Sequence, residues 1–365
     1  MRLTGGMWVV AAAAELFGGS VARTGDAGQL ECPGSTTAAD ILAGRNLSGM
    51  VVVVTGGDNG LGFAAANALA ARNASVIIAN RNATNGELAA ATIRRLTGNA
   101  QVEAMLLDLG SLASVRAFAS AYLEKVGPRL DILINNAGIT GPSEESNDGF
   151  ELVFQVDYLG HFLLTDLLLP ALRASPGARI INVASGAHEY ACEAAGWPAT
   201  CFEDWTFLPP SVVEPKNVTI HTRTGAYTTQ ASAYGVAKFL NIQHAVALAE
   251  REARSGIKAF SLTPGFAATS MTHHFDPADP MMKRVCDAQV HPNPALPPNP
   301  CPFSADQGAA VIAHLVVGEG LPSGGYFSRT GVPTAPGRPA RLLQGHAGRA
   351  LHQIAPLVGR GLRRT

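Results

Sequence analysis

The sequence predicts an α/β fold, in which a single doubly wound parallel sheet is flanked by helices and carries two loop insertions. Two observations predict it. Short β-rich runs alternate with helix-like stretches through the middle of the chain, which is typical of βαβ units. The first run, Val51–Val54, is apolar throughout, as expected of a parallel strand that is buried on both faces.

The expected elements follow in chain order. The β-rich runs are Val51–Thr55, Ser75–Ala79, Val102–Leu106, Ile132–Asn135, Arg179–Val183 and Lys258–Leu262. The helix-like stretches are Leu61–Arg72, Thr84–Leu96, Leu112–Val126, Phe150–Arg173 and Ala233–Ala253. The insertions, at about 188–229 and 270–302, follow strands on the side where open α/β sheets bind ligands. They are therefore candidate lids or walls of a substrate site.

Composition excludes several classes of protein. The chain has 365 residues, of which 47% are hydrophobic and 15% charged, with a net charge of −1. It can build a large core, and it resembles neither a disordered chain nor a basic protein that binds nucleic acid. Five cysteines are an odd number, too few for a disulfide scaffold, and their spacing does not suggest zinc ligands. We expect no metal site.

The two ends of the chain differ from its middle, so we expect the folded domain to span 37–335. Residues 1–36 begin with Met1-Arg2 and an apolar run that Glu15 breaks, and they are either a targeting segment or disordered. Residues 336–365 carry six arginines and no acid. This tail is either a solvated helix or a segment that touches a membrane surface. A cytoplasmic or membrane-associated location is favoured over entry into the secretory pathway through residues 1–22.

A glycine-rich turn lies between the first strand and the first helix. Such a turn lets the backbone approach a pyrophosphate, which the unpaired N–H groups at a helix N-terminus can bind. A glycine turn without a ligand is the alternative, and Asp58 would repel a phosphate unless it points away. The candidate cofactor-binding residues are Thr55, Gly56, Asn59, Gly60, Leu61 and Gly62.

The second strand is followed by Arg81, where an acid would suit the ribose 2′-hydroxyl of NAD. Arginine instead suits a 2′-phosphate, because its planar guanidinium binds phosphate with two parallel hydrogen bonds. Arg81 therefore favours NADP, unless it is an ordinary surface arginine.

Proton-transfer chemistry is indicated by Tyr234 and Lys238, which share one helix face at a spacing of four residues. A nearby ammonium favours the phenolate of a tyrosine, which lowers its pKa and fits it for acid–base catalysis. Ser185 directly follows the strand Arg179–Val183 and can hydrogen-bond a substrate carbonyl, although a turn residue would look the same.

The order of these motifs resembles the short-chain dehydrogenase/reductases, over about residues 37–330. The motifs are Thr55-Gly-x-x-x-Gly-x-Gly62, Asn135-Asn-Ala-Gly138, Ser185, Tyr234-x-x-x-Lys238 and Pro264-Gly-x-x-x-Thr269. The strings Asp148-Gly-Phe-Glu151, Tyr158-Leu-Gly-His-Phe-Leu-Leu-Thr165 and Gly325-Tyr-Phe-Ser328 are similar to the branch of retinol dehydrogenases and the WW-domain oxidoreductase.

The resemblance implies a Rossmann fold, NADP, and a lipophilic alcohol or carbonyl as substrate, in a monomer or homodimer. It implies that Tyr234 is the general acid/base, that Lys238 holds the ribose and that Ser185 orients the carbonyl. Tyr234 and Lys238 then also contact the cofactor. The further cofactor-binding residues that it implies are Asp108, Leu109, Asn135, Ala137, Gly138, Pro264, Gly265 and Thr269.

Asp157 departs from the family pattern, which usually places asparagine there to support a water in the proton relay. Aspartate can keep the backbone part of this fourth catalytic role, but it adds a charge near Lys238. A catalytically weak or inactive module that binds NADPH is therefore the alternative to an enzyme. Asp58 and Asp157 support that alternative, whereas Ser185, Tyr234 and Lys238 favour the enzyme.

Overall fold

The computed structural model describes residues 36–140, 144–190, 219–222, 225–271 and 302–328. The expected leader up to residue 35, the basic tail, all five cysteines and most of both insertions lie outside the described residues.

A seven-stranded parallel sheet forms the centre of the domain, in the order β3-β2-β1-β4-β5-β8-β9. Its strands are β1 Val51–Thr55, β2 Ser75–Asn80, β3 Val102–Leu106, β4 Ile132–Asn135, β5 Arg179–Val183, β8 Lys258–Leu262 and β9 Tyr326–Phe327. A separate antiparallel hairpin pairs β6 Thr219–Thr222 with β7 Gly225–Thr228. The strand order confirms the predicted doubly wound sheet.

Helices cover both faces of this sheet. They are α1 Ala38–Ile41, α2 Gly60–Ala70, α3 Ala83–Thr97, α4 Leu112–Lys125, α5 Leu152–Arg173, α6 Thr229–Arg251 and α7 Ala305–Val317. Buried side chains of α1, α2, α3 and α7 form one core with one face of the sheet, and those of α4, α5 and α6 form a second core on the other. Each strand contributes to both cores by alternation, which explains why successive residues of the central strands are buried.

Local signals set several helix ends. The side chain of Asn82 accepts a hydrogen bond from the Asn85 N–H and caps α3, and Ser111 caps α4 in the same way. Helix α5 contains a π-helical stretch, Gln155–Leu159, which includes Asp157. Such π-bulges inside α-helices are frequent at functional sites.

Helix α5 is also the helix, among those described, that is long and apolar enough to cross a membrane. Of its most apolar window, 83% is buried inside the domain. Its apolar side chains therefore pack in the protein core between α4 and α6.

The structure adds elements that the sequence pattern did not predict. Strand β9 and helix α7 complete the sheet edge and the first core, and the hairpin β6–β7 lies within the first expected insertion. Helix α6 begins at Thr229, four residues before its predicted start at Ala233, and so ends that insertion. The six predicted strands are confirmed, with β2 extended by one residue to Asn80.

Candidate active site

The predicted site residues gather at the carboxyl ends of the parallel strands. Thr55 ends β1 and Asn135 ends β4, and the strand order reverses between these two neighbours. Ser185 follows β5, and the segment that contains Pro264, Gly265 and Thr269 follows β8. In open α/β sheets this reversal point opens the crevice in which ligands bind.

The glycine-rich turn is built around close backbone contacts. A Cβ atom at Gly62 would lie 2.2 Å from the carbonyl oxygen of Gly56, so only glycine fits there. The side chain of Asn59, which precedes α2, makes no capping hydrogen bond to the first turn of that helix. The Asn59 side chain therefore does not occupy the first N–H groups of α2, and uncapped N–H groups at a helix N-terminus can bind an anion such as a dinucleotide pyrophosphate. These residues fit a nicotinamide dinucleotide.

Thr55 fastens this turn to the motif Asn135–Gly138. Its buried hydroxyl oxygen accepts hydrogen bonds from the N–H groups of Asn136 and Ala137, each at 2.9 Å. The Asn136 side chain returns a hydrogen bond to the Thr55 carbonyl at 2.8 Å. These hydrogen bonds join the end of β1 to the segment that follows β4, beside the glycine-rich turn.

The segment after β8 closes the other side of the turn. Ser270 donates a hydrogen bond to the Asn59 side chain at 3.1 Å, and a Cβ at Gly60 would lie 3.2 Å from the Thr269 Cγ2 atom. The fold thus places Thr269 next to Gly60, as a shared cofactor site requires.

The residues expected at the adenosine end have different surroundings. Arg81 is exposed directly after β2, and Leu109 is buried. The Asp108 carboxylate accepts a hydrogen bond from the Gly110 N–H at 2.9 Å, and Asp58 is half-buried. The buried Asn135 side chain donates to Thr165 at 3.0 Å and to Asn182 at 2.9 Å, so its amide hydrogens are used inside the core.

Ser185, Tyr234 and Lys238 form one cluster. The Ser185 hydroxyl hydrogen-bonds with the Tyr234 phenol. The Lys238 Nζ atom lies 5.3 Å from the centre of the Tyr234 ring and donates to the Val183 carbonyl at 3.2 Å. The Ala187 N–H donates to the Ser185 oxygen at 3.2 Å, so the Ser185 hydroxyl can accept this bond and donate its own hydrogen toward the phenol. A hydroxyl, a phenol and an ammonium in this order can bind and protonate a carbonyl oxygen.

Asp157 joins this cluster through a buried ion pair. Its Oδ2 atom lies 3.1 Å from the Lys238 Nζ atom, and its Oδ1 atom accepts the Ile139 N–H at 2.8 Å. The Asp157 side chain is 0% exposed and that of Lys238 4%. Burial raises the pKa of Asp157, although Lys238 and the Ile139 N–H oppose the shift. Burial would lower the pKa of Lys238, but Asp157 and Tyr234 outweigh it and raise that pKa.

The pKa of Tyr234 differs from the expectation drawn from sequence. Burial, the largest influence, and the Asp157 carboxylate raise this pKa, whereas the Lys238 ammonium and the Ser185 hydrogen bond lower it. The net result is a pKa above the ordinary tyrosine value. Lys238 therefore acts in the expected direction, but its effect is outweighed. The expected lowering was therefore wrong, because the motif does not reveal that the phenol is buried, and burial is the largest influence on this pKa.

Further polar residues of the site were missed from sequence. The Asn182 side chain donates to the Asn241 carbonyl at 3.0 Å, and the Asn241 side chain donates to the Asp157 carbonyl at 3.2 Å. His161 lies 2.8 Å from the Thr55 hydroxyl, and burial lowers its pKa to about 3. Asn241 lies three residues after Lys238 on the same helix face, and this spacing was the available signal.

Comparison with known proteins gives the family. The family model described as short chain dehydrogenase matches residues 50–197. Human retinol dehydrogenase 12 is 33% identical over 286 residues, which cover 77% of this chain and 78% of that protein. The chain belongs to the short-chain dehydrogenase family. Members of this family are oxidoreductases that use nicotinamide cofactors.

Other relatives place this short-chain dehydrogenase in the branch similar to retinol dehydrogenases. Human dehydrogenase/reductase SDR family member 13 is 50% identical over 143 residues, or 39% of this chain and 37% of that protein. The chicken WW domain-containing oxidoreductase is 38% identical over 243 residues, or 66% of this chain and 54% of that protein. The match thus spans about a third to a half of the length of these two relatives.

Solved structures agree with the fold of this short-chain dehydrogenase. An uncharacterized protein from Mycobacterium paratuberculosis is 30% identical, with a TM-score of 0.61 over 89% of this chain and 97% of that one. The Pseudomonas aeruginosa RhlG/NADP active-site complex is 27% identical, with a TM-score of 0.55 over 78% of this chain and 95% of that one.

Proposed function

We propose that this chain is an NADP-dependent oxidoreductase that interconverts an alcohol and a carbonyl by hydride transfer, with Tyr234 as general acid/base. The observation that carries the proposal is the cluster of Ser185, Tyr234 and Lys238 beside the glycine-rich turn. The family relationship supports the reaction class.

Each side chain then has a defined task. In carbonyl reduction Tyr234 gives its phenolic proton to the substrate oxygen, while Ser185 donates a hydrogen bond that orients the same oxygen. Lys238 holds the ribose and favours the phenolate that remains. A nicotinamide cofactor bound in the glycine-rich turn supplies or accepts the hydride.

The preference for NADP rests on Arg81. Its exposed guanidinium follows β2, at the position that faces the ribose 2′-substituent in this type of fold. The RhlG/NADP complex supports this choice by similarity. Exchange of Arg81 for glutamate should weaken NADPH binding and leave NADH binding unchanged or improved. A loss of affinity for both cofactors alike would contradict the assignment.

The substrate class we propose is a small lipophilic carbonyl or alcohol, such as a retinoid, a long-chain aldehyde or a steroid. The names of the retinol dehydrogenase relatives support it. We further propose that the protein acts as a monomer or homodimer, in the cytoplasm or at a membrane surface that the basic tail touches. Loss of vesicle binding after deletion of residues 338–365 would support that contact.

The test is oxidation of NADPH in the presence of retinal, long-chain aldehydes and steroid ketones, measured by the loss of reduced nicotinamide absorbance. Tyr234→Phe is the matched variant, because it removes a single oxygen atom. We expect turnover by the unmodified protein and a loss of at least about a hundredfold in the variant, with NADPH binding retained. Equal turnover by both proteins would refute the role of Tyr234.

The second candidate is a module that binds NADPH with weak or no catalysis. The observation that favours it is the pairing of Lys238 with Asp157, because the ammonium charge is then partly neutralised. Tight NADPH binding without turnover on the whole panel would support this candidate and contradict the enzyme.

A further inference from the structure

The charge next to the proposed proton donor is balanced within this chain. Lys238 and Asp157 contact each other at 3.1 Å, and both are buried. We propose that Asp157 is a positioning residue that holds the Lys238 ammonium in a buried ion pair, opposes its attraction for the Tyr234 phenolate and so sets the site for carbonyl reduction. This inference rests on the proposed function and adds the direction of the reaction that the site favours.

The pair is fixed on every side that the structure describes. Lys238 also donates to the Val183 carbonyl, and Asp157 accepts the Ile139 N–H with its second oxygen. Gly138 covers the pair, since a Cβ there would lie 2.9 Å from the Asp157 Oδ2 atom and 3.2 Å from the Lys238 Nζ atom. The lysine cannot leave its partner without breaking these contacts. Water and salt are kept away, so the carboxylate acts on its surroundings almost unscreened.

The other titratable groups around the pair do not replace Asp157. From α6 these are Tyr234 and Lys238 themselves. On α5 lies His161, whose pKa burial lowers to about 3, and directly before α5 lies Glu151, whose pKa burial raises to about 7. His161 is therefore neutral, and Glu151 is only partly ionised near neutral pH. Asp157 is thus the described acid that both contacts Lys238 and raises the pKa of Tyr234.

The two reaction directions need opposite forms of Tyr234. Carbonyl reduction needs the phenol as acid, whereas alcohol oxidation needs the phenolate as base. A carboxylate that cancels the ammonium keeps the phenol form up to higher pH. Reduction should therefore persist on the alkaline side of neutrality, and oxidation should rise only at alkaline pH.

The test compares the unmodified protein with Asp157→Asn, which removes the charge at constant shape, and with Asp157→Glu, which retains it. The pH profiles of reduction and of oxidation are measured for all three proteins. In parallel, tyrosinate absorbance is titrated and the signal of the Tyr234→Phe variant is subtracted. This isolates the ionisation of Tyr234 and needs no turnover.

We expect Asp157→Asn to shift both profiles and the Tyr234 titration to lower pH by about one unit, because an opposing charge has been removed beside the ammonium. Asp157→Glu, which retains the charge, should leave the Tyr234 titration closer to that of the unmodified protein than Asp157→Asn does. In the unmodified protein, Tyr234 should titrate above the ordinary tyrosine value of about 10. This part of the test holds even if Asp157→Asn fails to fold.

Superimposed profiles and titrations for the unmodified protein and Asp157→Asn would overturn the inference. A Tyr234 titration below the ordinary value in the unmodified protein would overturn it as well. A shifted titration together with no turnover of any substrate would instead contradict the proposed function, while the effect of Asp157 on Tyr234 would stand.

Discussion

Removal of the ammonium group alone should destabilise the fold strongly and in a pH-dependent way. Lys238→Met keeps most of the side-chain stem but leaves the Asp157 carboxylate buried, with the Ile139 N–H as its remaining hydrogen-bond donor in the described structure. Removal of one partner of a buried pair costs about 3–5 kcal/mol. The carboxylate can escape part of this cost by taking up a proton.

The cost of protonating Asp157 sets an upper limit on how far Lys238→Met lowers the free energy of unfolding. Protonation of an ordinary aspartate with a pKa of about 3.9 costs about 4 kcal/mol at pH 7 and about 1.5 kcal/mol at pH 5, at about 1.4 kcal/mol per unit. Lys238→Met should therefore lower the free energy of unfolding by up to about 4 kcal/mol at pH 7. At pH 5 the loss should be about 1.5 kcal/mol.

Urea denaturation at the two pH values measures this difference. The double variant Asp157→Asn/Lys238→Met should recover much of the stability, because no buried charge remains. Arg251→Met is the matched control: Arg251 is 41% exposed and pairs with Asp166 and Glu252, and Glu252 keeps its ion pair with Arg173, so the cost should be no more than about 1 kcal/mol. A cost for Lys238→Met that is equal at pH 5 and pH 7 would refute the reasoning.

Three further predictions follow from other contacts. Gly62→Ala should abolish measurable NADPH binding in a titration calorimeter, because its methyl group would meet the Gly56 carbonyl; unchanged affinity would contradict cofactor binding at the glycine-rich turn. Ser185→Ala should lower kcat by about a hundredfold or more at unchanged NADPH affinity, and a fall in affinity alone would exclude the proposed role. Burial raises the pKa of Glu151 to about 7 from 4.5, so the folded state binds the extra proton. The stability that this proton contributes is therefore fully present below about pH 4.5 and is lost as the pH rises through 7, a loss of about 3 kcal/mol. Glu151→Gln cannot ionise, so thermal melts of this variant should show a flatter dependence of stability on pH over this range.

The strands could be predicted because burial on both faces leaves a local signal. Val51–Thr55 and Arg179–Val183 are short runs rich in Val and Ile, and their bounds coincide with those of β1 and β5. Strand β9 has only two residues, too few to form a pattern. In α7, every residue of the stretch Ala310–Val316 is buried, so this part of the helix lacks the polar face that would have revealed its period.

The site could be predicted only as far as its residues form motifs. Spacing placed Tyr234 and Lys238 on one helix face, and the structure brings Ser185 to the phenol. The contact between Asp157 and Lys238 joins residues 81 positions apart in sequence, because two helices pack beside β4 and β5. The family resemblance predicts a charge near Lys238, but nothing local encodes the 3.1 Å contact or the burial of the site, so the raised pKa of Tyr234 could not be derived from sequence.

The two functional candidates finally differ in what Asp157→Asn should do. The exchange removes the carboxylate charge but leaves the helix intact, because the backbone carbonyl of residue 157 still accepts a hydrogen bond from the Asn241 side chain at 3.2 Å. This carbonyl lies within the π-helical stretch. If the chain is an enzyme, the exchange should move the pH dependence while the highest reduction rate stays within about threefold. If the ion pair has silenced the site, the exchange should instead create turnover in a protein that shows none. Steady-state rates across the pH range separate these results, and turnover gained only in the variant would identify the unmodified chain as a cofactor-binding module.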